Sequence, residues 1–445
     1  MKKLVLLISL IAGLVSAINA QWVSPGNGTT YTLPDLVNVT EGAVTTSANG
    51  FLINSDITIS TNDVLLIDNQ VSRIDVATVL ITINGSMVCT NTARVGVYGL
   101  NETNHFGMRF EDATGCEIKK MYFSDGGGIK VIDSEVTFDD VRFLYFVREY
   151  CNAVIDVFNC DPVIVNCHFQ DNKGAAISSP ANGQSSPQIL NNYFDANVTD
   201  YNVPQINLGP GGADTIRIVG NQIEDQYTNF HTGGISVGDL MGIGSTKVLV
   251  KNNSVRDGRY GYNQQGANIS SLIIGNQFIN NYNENNPMNG GSGISIYGTT
   301  ENCRAILRNN VIIGNLWGIT VINKGYVNMG TPREWGYNEI HDNRNSGAIY
   351  DLYNNTANDI TAVGNDWGTT DEDVIESHIV HQPDDPNLGL VNYIPYVGYD
   401  GIEEVSEGNT LKDRRIYTIE GRCLGTELPE TFKGVYIKNG EKYVK

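Results

Sequence analysis

The chain has 445 residues and a formal net charge of −20 at pH 7. This charge excludes nucleic acid as an expected partner, because proteins that bind nucleic acid neutralise its phosphates with lysine and arginine. The same repulsion opposes polyanionic glycans unless a cation mediates, so a neutral polysaccharide or a protein is the easier partner.

Residues 1–20 read as a secretory signal sequence. Lys2 and Lys3 precede an apolar stretch at residues 4–15, and the small residues Ala17 and Ala20 follow it. A membrane-spanning helix needs about 20 apolar residues, and neither this stretch nor any later segment is that long. We therefore predict an exported protein, either extracellular, on the cell surface or periplasmic, with no transmembrane segment in the mature chain.

Residues 21–114 are rich in threonine and valine and contain strand-like runs, but they lack the repeat described next. The end of a repeat protein exposes core and unpaired backbone, so terminal units are atypical. We predict that this segment forms N-terminal capping coils.

A six-residue phrase recurs ten times between Ile118 and Trp367. In each copy an apolar residue lies three positions before a marked position, which we call the slot, and another lies two positions after it. The spacings between slots run from 20 to 34 residues, within the range of solenoid repeats. The slots are Met121, Val141, Cys167, Asn192, Asn221, Asn253, Asn276, Asn310, Asn338 and Asn365.

Each repeat predicts three strands and a tight corner. Apolar residues alternate on both sides of the slot, and a further strand recurs, as in "GGISVG" at 233–238 and "GSGISIYG" at 291–298. Asparagine suits a corner because it tolerates left-handed backbone and its amide both donates and accepts hydrogen bonds. Coils stacked about 4.8 Å apart would align the seven slot asparagines in a ladder. Near the first three slots, Met121, Val141 and Cys167, we expect the ladder to be interrupted or replaced by apolar stacking.

Over residues 115–367 these repeats resemble the right-handed parallel β-helix of the pectin-lyase-like superfamily, whose turn asparagine the slot asparagine matches. The resemblance implies an all-β, right-handed parallel β-helix with three strands per coil and about ten or more coils. It also implies that any catalysis would use clustered acids, a calcium-bridged substrate or an arginine base on one face of the helix.

The last slot leads into a predicted short helix with a capping box of Thr370 and Asp373. The segment resembles the closing element of many secreted β-helix proteins. We therefore predict a β-helix over 115–400, with a closing cap from about residue 368 that covers the core.

Residues 401–445 differ in composition from the body and predict a small β module, with a hairpin turn at Asn439-Gly440. This tail resembles the C-terminal sorting module of secreted Bacteroidetes proteins. The resemblance implies export or surface attachment.

Weak candidates for chemistry lie four residues after the slots. Asp225, Asp257 and Asn280 fall on three consecutive coils, and their oxygens could hold calcium. An ordinary corner is the favoured interpretation, because other copies carry varied residues there. No other cofactor is expected. If a lyase operates, Asp257 lies beside the candidate proton abstractors Arg256 and Arg259, which are otherwise ordinary exposed arginines.

Aromatic residues on neighbouring coils predict the binding face. Tyr260, Tyr262, Tyr282 and Tyr297 could stack against sugar rings, although each could instead pack a loop against the helix wall. The favoured function is glycan binding or adhesion, with a polysaccharide or cell-surface glycan as partner and without catalysis. The alternatives are a polysaccharide lyase or glycoside hydrolase acting in a groove on the helix, and a purely structural stalk.

Overall fold

The computed structural model describes residues 21–102, 105–225 and 229–399, and the segments 416–418, 423–425, 427–429, 432–438 and 441–445. The predicted signal sequence lies outside the described residues. The chain divides into two compact units, and the boundary falls between Tyr399 and Asp400.

Three long sheets, which we name A, B and C, build the larger unit. The chain passes through A, B and C in turn, and each strand pairs in parallel with the equivalent strand of the next coil. The predicted parallel β-helix with three strands per coil is therefore confirmed. Parallel pairing is present well before residue 115, since Ile57 pairs with Ile81 in sheet A.

The strands of sheet A are Trp22–Val23, Ile57–Ile59, Leu80–Ile83, Phe106–Glu111, Gly126–Ile132, Ala153–Phe158, Ala175–Ser178, Pro204–Leu208, Gly233–Asp239, Tyr262–Gly266, Ser292–Gly298, Trp317–Asn323, Leu352–Thr356 and Ile379–Val380. Those of sheet B are Thr30–Thr32, Val64–Ile67, Ser86–Cys89, Cys116–Lys119, Val136–Asp139, Val163–Val165, Gln188–Leu190, Thr215–Val219, Thr246–Lys251, Ile269–Ile274, Arg304–Arg308, Tyr326–Asn328, Ile360–Thr361 and Val391–Asn392.

The strands of sheet C are Val44–Ser47, Gly50–Ile53, Arg73–Val76, Val95–Gly99, Met121–Ser124, Arg142–Leu144, His168–Gln170, Tyr193–Asp195, Gln222–Glu224, Ser254–Arg256, Gln277–Ile279, Val311–Ile313 and Glu339–His341. Its first two strands pair antiparallel, and the others pair in parallel. Outside the three sheets lie the hairpin Arg344–Asn345 with Ala348–Ile349 and the short 3₁₀ helices Leu100–Glu102 and Pro287–Asn289.

The core runs along the axis of the helix as rows of stacked aliphatic side chains. One row in sheet B joins five fully buried residues in successive coils, which are Ile189, Ile218, Val250, Ile273 and Leu307. Because these residues alternate with outward-facing ones along each strand, a one-residue slip would turn the aliphatic rows to solvent. The alternation of inward and outward residues therefore fixes the register.

The corner between sheets B and C contains a left-handed residue immediately before each slot. Its φ is 53° at Asn252 and 68° at Gly275. None of the seven slot asparagines, all of which are described, has a positive φ. The expectation that the slot residue itself adopts left-handed backbone is therefore wrong. The preceding residue makes the turn, and the slot asparagine contributes its amide.

The slot asparagines form a continuous hydrogen-bonded file inside the helix, which we call the slot ladder. Asn276 Nδ2 donates to Asn310 Oδ1 at 2.9 Å and to the carbonyl of Val250 at 2.9 Å. Its Oδ1 accepts from both the backbone N–H and the Nδ2 of Asn253, each at 2.9 Å. Every polar atom of the amide is thus satisfied, as a buried amide requires.

A second amide file lies five residues after the slots, and the sequence analysis missed it. Asn281 donates to Asn315 Oδ1 at 3.0 Å, and Asn315 donates to Asn343 Oδ1 at 2.8 Å. Asn343 Nδ2 then donates to Asp351 Oδ1 at 2.8 Å, so this file ends on a buried carboxyl group. Asp351 Oδ2 lies 3.1 Å from Nδ1 of His378.

Coils before the slot ladder are stabilised by stacked phenylalanines instead. The ring centroids of Phe143 and Phe169 lie 4.7 Å apart, and those of Phe169 and Phe194 lie 5.0 Å apart, with nearly parallel planes. Phe123 also stacks on Phe143, and the slots two residues before Phe123, Phe143 and Phe169 hold the buried residues Met121, Val141 and Cys167. At the slot position these coils are therefore apolar where the later coils carry amides.

A short α-helix lies near each end of the larger unit. Helix α1, Leu33–Val39, begins with a capping box between Thr32 and Asp35 and buries Leu33 and Leu36 in the core. Helix α2, Glu372–Ser377, buries Ile375. No described helix is long and apolar enough to cross a membrane.

The cap of α2 differs from the predicted capping box. Asp371 is the N-cap residue, and its carboxylate accepts from the backbone N–H groups of Asp373 and Val374. Thr370 therefore does not cap this helix. Thr370 instead offers its carbonyl to the hydroxyl of Tyr396 at 3.0 Å.

The smaller unit contains a four-stranded antiparallel sheet, in agreement with the predicted β module. Its strands, in spatial order, are Cys423–Gly425, Ile416–Thr418, Val435–Lys438 and Glu441–Val444. The predicted turn at Asn439-Gly440 lies outside the described residues, between two strands that pair antiparallel.

Candidate functional site

Tyr262, one of the four predicted binding tyrosines, is fully buried in the core. It pairs with Ile235 and Ile294 in sheet A and occupies the inward position that isoleucine fills in the neighbouring coils. Its hydroxyl lies 2.9 Å from Ser271 Oγ. Tyr262 therefore cannot face a ligand, and its assignment to the binding face is wrong.

Tyr260 packs against the backbone of the preceding coil. A Cβ atom added to Gly233 would lie 2.2 Å from Cζ of Tyr260, so the ring occupies the space that this glycine leaves open. Burial raises the pKa of Tyr260 to about 12. This side chain supports a corner loop, which corresponds to the packing alternative.

Tyr282 and Tyr297 retain exposed surface but lie on different parts of the coil. Tyr282 is 41% exposed in the corner between sheets C and A. Tyr297 lies on the outer face of sheet A, in register with Gln265 and Ile322. Among the described residues no ring contact joins the two tyrosines, so they do not form a shared stacking platform.

The three predicted calcium ligands have separate environments. Asp257 and Asn280 are left-handed corner residues, with φ of 59° and 57°. Asp225 is buried, and its Oδ2 accepts from Asn283 Nδ2 at 2.6 Å. No group of three or more His, Cys, Asp or Glu side chains within the described ranges could hold a metal ion.

The two arginines predicted as proton abstractors also lie in different environments. Arg259 Nε donates to the carbonyl of Asn289 and Nη1 donates to Asn202 Oδ1, both at 2.7 Å, so its guanidinium ties two loops together. A guanidinium with its donors so engaged is a structural group, and the structure gives Arg259 no role as a base. Arg256 instead lies on the outer face of sheet C, 4.0 Å from Glu224.

That outer face carries polar and aromatic side chains on successive coils, and we call it the sheet C stripe. It comprises the outward side chains of sheet C from Arg73 to Arg256. In one register line Tyr122, Arg142, His168, Tyr193 and Gln222 follow one another on successive coils. Each lies one residue after a slot, so the strand pairing places all of them on the same face.

Aromatic contacts run along the N-terminal part of the stripe. The ring centroids of Tyr98 and Tyr122 lie 5.4 Å apart, and the guanidinium of Arg73 lies 4.2 Å above the ring of Tyr98. Tyr98 and Arg73 line a cleft of about 870 Å³ together with Asp75 and Tyr145. This volume is in the range of small-molecule and oligomer-binding pockets.

The C-terminal part of the stripe gathers ionisable groups. His168 and Tyr193 have ring centroids 4.9 Å apart, and the hydroxyl of Tyr193 lies 3.4 Å from Glu224 Oε2. Burial, with Asp195 and Glu224 nearby, raises the pKa of Tyr193 to about 12. Burial and the nearby Arg142 guanidinium lower the pKa of His168. At neutral pH the tyrosine is thus a proton donor and the imidazole is uncharged.

Most of this stripe was not predicted, because the predicted binding face rested on four tyrosines that lie later in the chain. The available signal was the position immediately after each slot, where Tyr122, Arg142, His168 and Tyr193 recur. Only Arg256 was among the predicted candidates.

Residues 239–372 match a family model described as "Protein of unknown function (DUF1565)". A comparison with curated proteins finds no match. The periplasmic alginate epimerase AlgG is a similar solved structure, with 12% identity, 82% of each chain covered and a TM-score of 0.45. The PL6 family polysaccharide lyase Pedsa3628 from Pseudopedobacter saltans is 10% identical, with 83% of this chain and 92% of that chain covered and a TM-score of 0.23.

Neither solved structure assigns an activity to this chain at such low identity. The architecture rests on the chain's own strand pairing, in which three sheets of 13 or 14 strands share one repeating order. The chain is a parallel β-helix protein with a separate small β module.

Proposed function

We propose that this is an exported glycan-binding protein and that the sheet C stripe holds an extended sugar chain. The observation that carries the proposal is the placement of Tyr98, Tyr122, His168 and Tyr193 on one outer face, held in register by parallel strand pairing. Planar rings with polar edges suit sugars, which present apolar C–H faces between hydroxyl groups.

The dimensions of the stripe match an elongated ligand. Four coil-to-coil steps separate the strand of Tyr98 from that of Tyr193, which gives a length of about 19 Å at the usual strand spacing. Charged groups of both signs line it, including Arg73 with Asp75 and Glu224 with Arg256. Such groups can accept hydrogen bonds from hydroxyl groups and donate hydrogen bonds to them. Because both signs are present, the stripe does not select for a charged ligand.

The proposal is tested with Tyr122→Ala and Tyr193→Ala in the full chain, and Tyr282→Ala is the matched control because Tyr282 is exposed but lies off the stripe. We expect each stripe variant to weaken binding to its best ligand on a glycan array by about tenfold or more. The control should bind normally.

Binding of no glycan by the unaltered protein would contradict the proposal and favour a structural stalk. Equal losses in the control and the stripe variants would contradict the location of the site.

A second candidate function, a polysaccharide lyase, is favoured by the contact between His168 and Tyr193. Elimination next to a uronic carboxylate needs a base for the carbon-bound proton and an acid for the leaving oxygen. Neutral His168 fits the first role, and protonated Tyr193 fits the second.

An ultraviolet-absorbing unsaturated product would establish the lyase if it disappears in Tyr193→Phe while glycan binding persists. Binding without any such product from neutral or uronic polysaccharides would leave glycan binding as the function.

A further inference from the structure

The outer face of sheet B in the central coils has a composition unlike the rest of the molecule. We call this surface the sheet B patch. It comprises the outward side chains of Thr215–Val219, Thr246–Lys251, Ile269–Ile274 and Arg304–Arg308. Parallel pairing aligns Leu249, Leu272 and Ile306 in its centre. At strand spacing the four strands span about 15 Å.

Positive charge surrounds this aliphatic centre. Arg217, Lys247, Lys251 and Arg304 are exposed, and the four strands contain no acidic residue. None of these four cations forms an ion pair with a described residue. The exposed acids Asp214 and Glu301 precede the first and last of these strands, and Glu334 pairs with the buried Arg308 at 3.5 Å. In a chain with a net charge of −20 this is a locally cationic face.

An apolar loop borders the patch. Residues 240–245 lead directly into the strand Thr246–Lys251, and they display Leu240 and Met241, each 61% exposed, and Ile243, 45% exposed. Water-facing aliphatic side chains of this size on one short loop are unfavourable unless another apolar phase covers them.

Hydrogen bonds fix this loop in its displayed conformation. The N–H of Ile243 donates to Asp239 Oδ1 at 3.0 Å, and the carbonyl of Ile243 accepts from Gln184 Nε2 at 3.0 Å. At the tip, the carbonyl of Gly242 accepts from Asn268 Nδ2 of the next coil at 3.5 Å. The aliphatic side chains therefore point outward from an anchored backbone.

We propose that the sheet B patch and the loop at 240–245 dock the protein on an anionic lipid surface. Aliphatic side chains that insert at the acyl boundary, flanked by lysine and arginine near the headgroups, are the combination that holds peripheral proteins on such membranes. The patch is aliphatic rather than aromatic, which favours lipid over sugar. The acidic remainder of the protein is repelled by the same surface, so this face is the one that approaches it.

Vesicle sedimentation with the full chain tests the proposal. At low salt we expect binding to vesicles of phosphatidylglycerol and phosphatidylcholine, no binding to phosphatidylcholine alone, and release as sodium chloride is raised, because salt screens the charge attraction. This measurement requires no variant, so it does not depend on how substitutions affect folding.

Two variants separate the charge and the insertion. Because each cation near an anionic surface contributes about fivefold, Lys247→Glu with Lys251→Glu should weaken vesicle binding by at least about 25-fold. Leu240→Ser with Met241→Ser should weaken it by about tenfold. The matched controls are Lys173→Glu and Phe230→Ser, which change an exposed cation and an exposed apolar residue on the loops between sheets C and A.

Equal binding to neutral vesicles, or binding that the patch variants do not alter, would overturn the proposal. Dimerisation without vesicles that the patch variants abolish would assign the surface to a second copy of the chain and would also overturn it. So would binding of a soluble polyanion without any binding to vesicles.

Discussion

The early and late coils of the solenoid fill the same internal position in two different ways. In the early coils the slots Met121, Val141 and Cys167 lie beside stacked phenylalanines. In the late coils the slots are asparagines bonded in series, and the phenylalanines give way mostly to smaller aliphatic residues such as Ile223 and Val255. The coil geometry is the same, but the source of cohesion differs.

The difference shows what a buried amide contributes that an aromatic stack does not. Stacked rings are stabilised by burial and dispersion, which depend weakly on direction. An asparagine amide must satisfy two hydrogens and two lone pairs, so it specifies where the next coil lies. At the slot position, the stability of the early coils therefore depends on how well apolar side chains fill the space. The stability of the late coils depends there on an unbroken series of hydrogen bonds.

Phe169→Ala should produce the largest effect on the early coils. The ring is fully buried between Phe143 and Phe194, so its loss leaves a cavity, and we expect a decrease of about 3–5 kcal/mol in the free energy of unfolding. Urea unfolding measures it. Phe230→Ala, which removes an exposed ring, is the control and should change little.

Asn276→Ala breaks the slot ladder in its middle. It leaves the N–H and Nδ2 of Asn253 without their acceptor, so we expect a loss of about 3 kcal/mol although few atoms are removed. Met121→Leu at an apolar slot should cost less than about 1.5 kcal/mol. If both variants unfold at the same urea concentration, the two kinds of slot are energetically equivalent and the comparison fails.

The second amide file predicts a pH dependence in the late coils. Burial raises the pKa of Asp351 to about 7, from an ordinary value of 3.8. Between these values the folded state keeps a proton that the unfolded state has lost, so this group makes stability fall as pH rises from about 4 to about 7.

Asp351→Asn should remove this slope, because an amide retains the Oδ1 that accepts from Asn343 and carries no charge to bury. We expect the variant to be more stable than the unaltered protein at pH 8 by about 2–4 kcal/mol, with little difference at pH 4. Urea unfolding at both pH values measures this, and an unchanged slope would exclude Asp351 as its source.

The smallest expected effect concerns the left-handed residue before each slot. Tyr337 and Lys120 hold this position with φ of 49° and 50°, whereas other coils use asparagine, aspartate or glycine. Tyr337→Asn in the late coils and Lys120→Asn in the early coils should each gain about 0.5–1 kcal/mol, since asparagine tolerates this backbone better. A gain in only one of them would show that the halves differ at the turn as well as at the slot.

The repeat made the fold predictable because each unit places apolar residues and asparagine at fixed offsets within a few residues. Asn281, Asn315 and Asn343 each follow a slot by five residues, but the second file was not predicted because the same offset after Asn253 holds Gly258. The surface position predicted for Tyr262 followed from its residue type alone. It did not take into account the register of sheet A, which directs this side chain into the core. Burial of that hydroxyl depends on Ser271, which lies on the next strand.

The candidate site was less predictable, because a face of a solenoid is built from residues about 25 positions apart. The contact between Tyr193 and Glu224 can be predicted only once the register of sheet C is known. Tyr260 and Arg259 were candidates by residue type, yet their side chains serve to hold corner loops in place.

The slot ladder has a direction, since Nδ2 of each asparagine before Asn365 donates a hydrogen bond to the slot asparagine of the following coil. Asn365 has no later asparagine to receive one and instead donates to the carbonyls of Met329 and Ala362. A whole turn inserted between Asn310 and Asn338 would meet the same donors and acceptors on both sides. The number of coils could therefore change by whole turns without leaving a slot amide unsatisfied. The C-terminal limit of the ladder is Asn365, which donates to carbonyl groups and not to another asparagine.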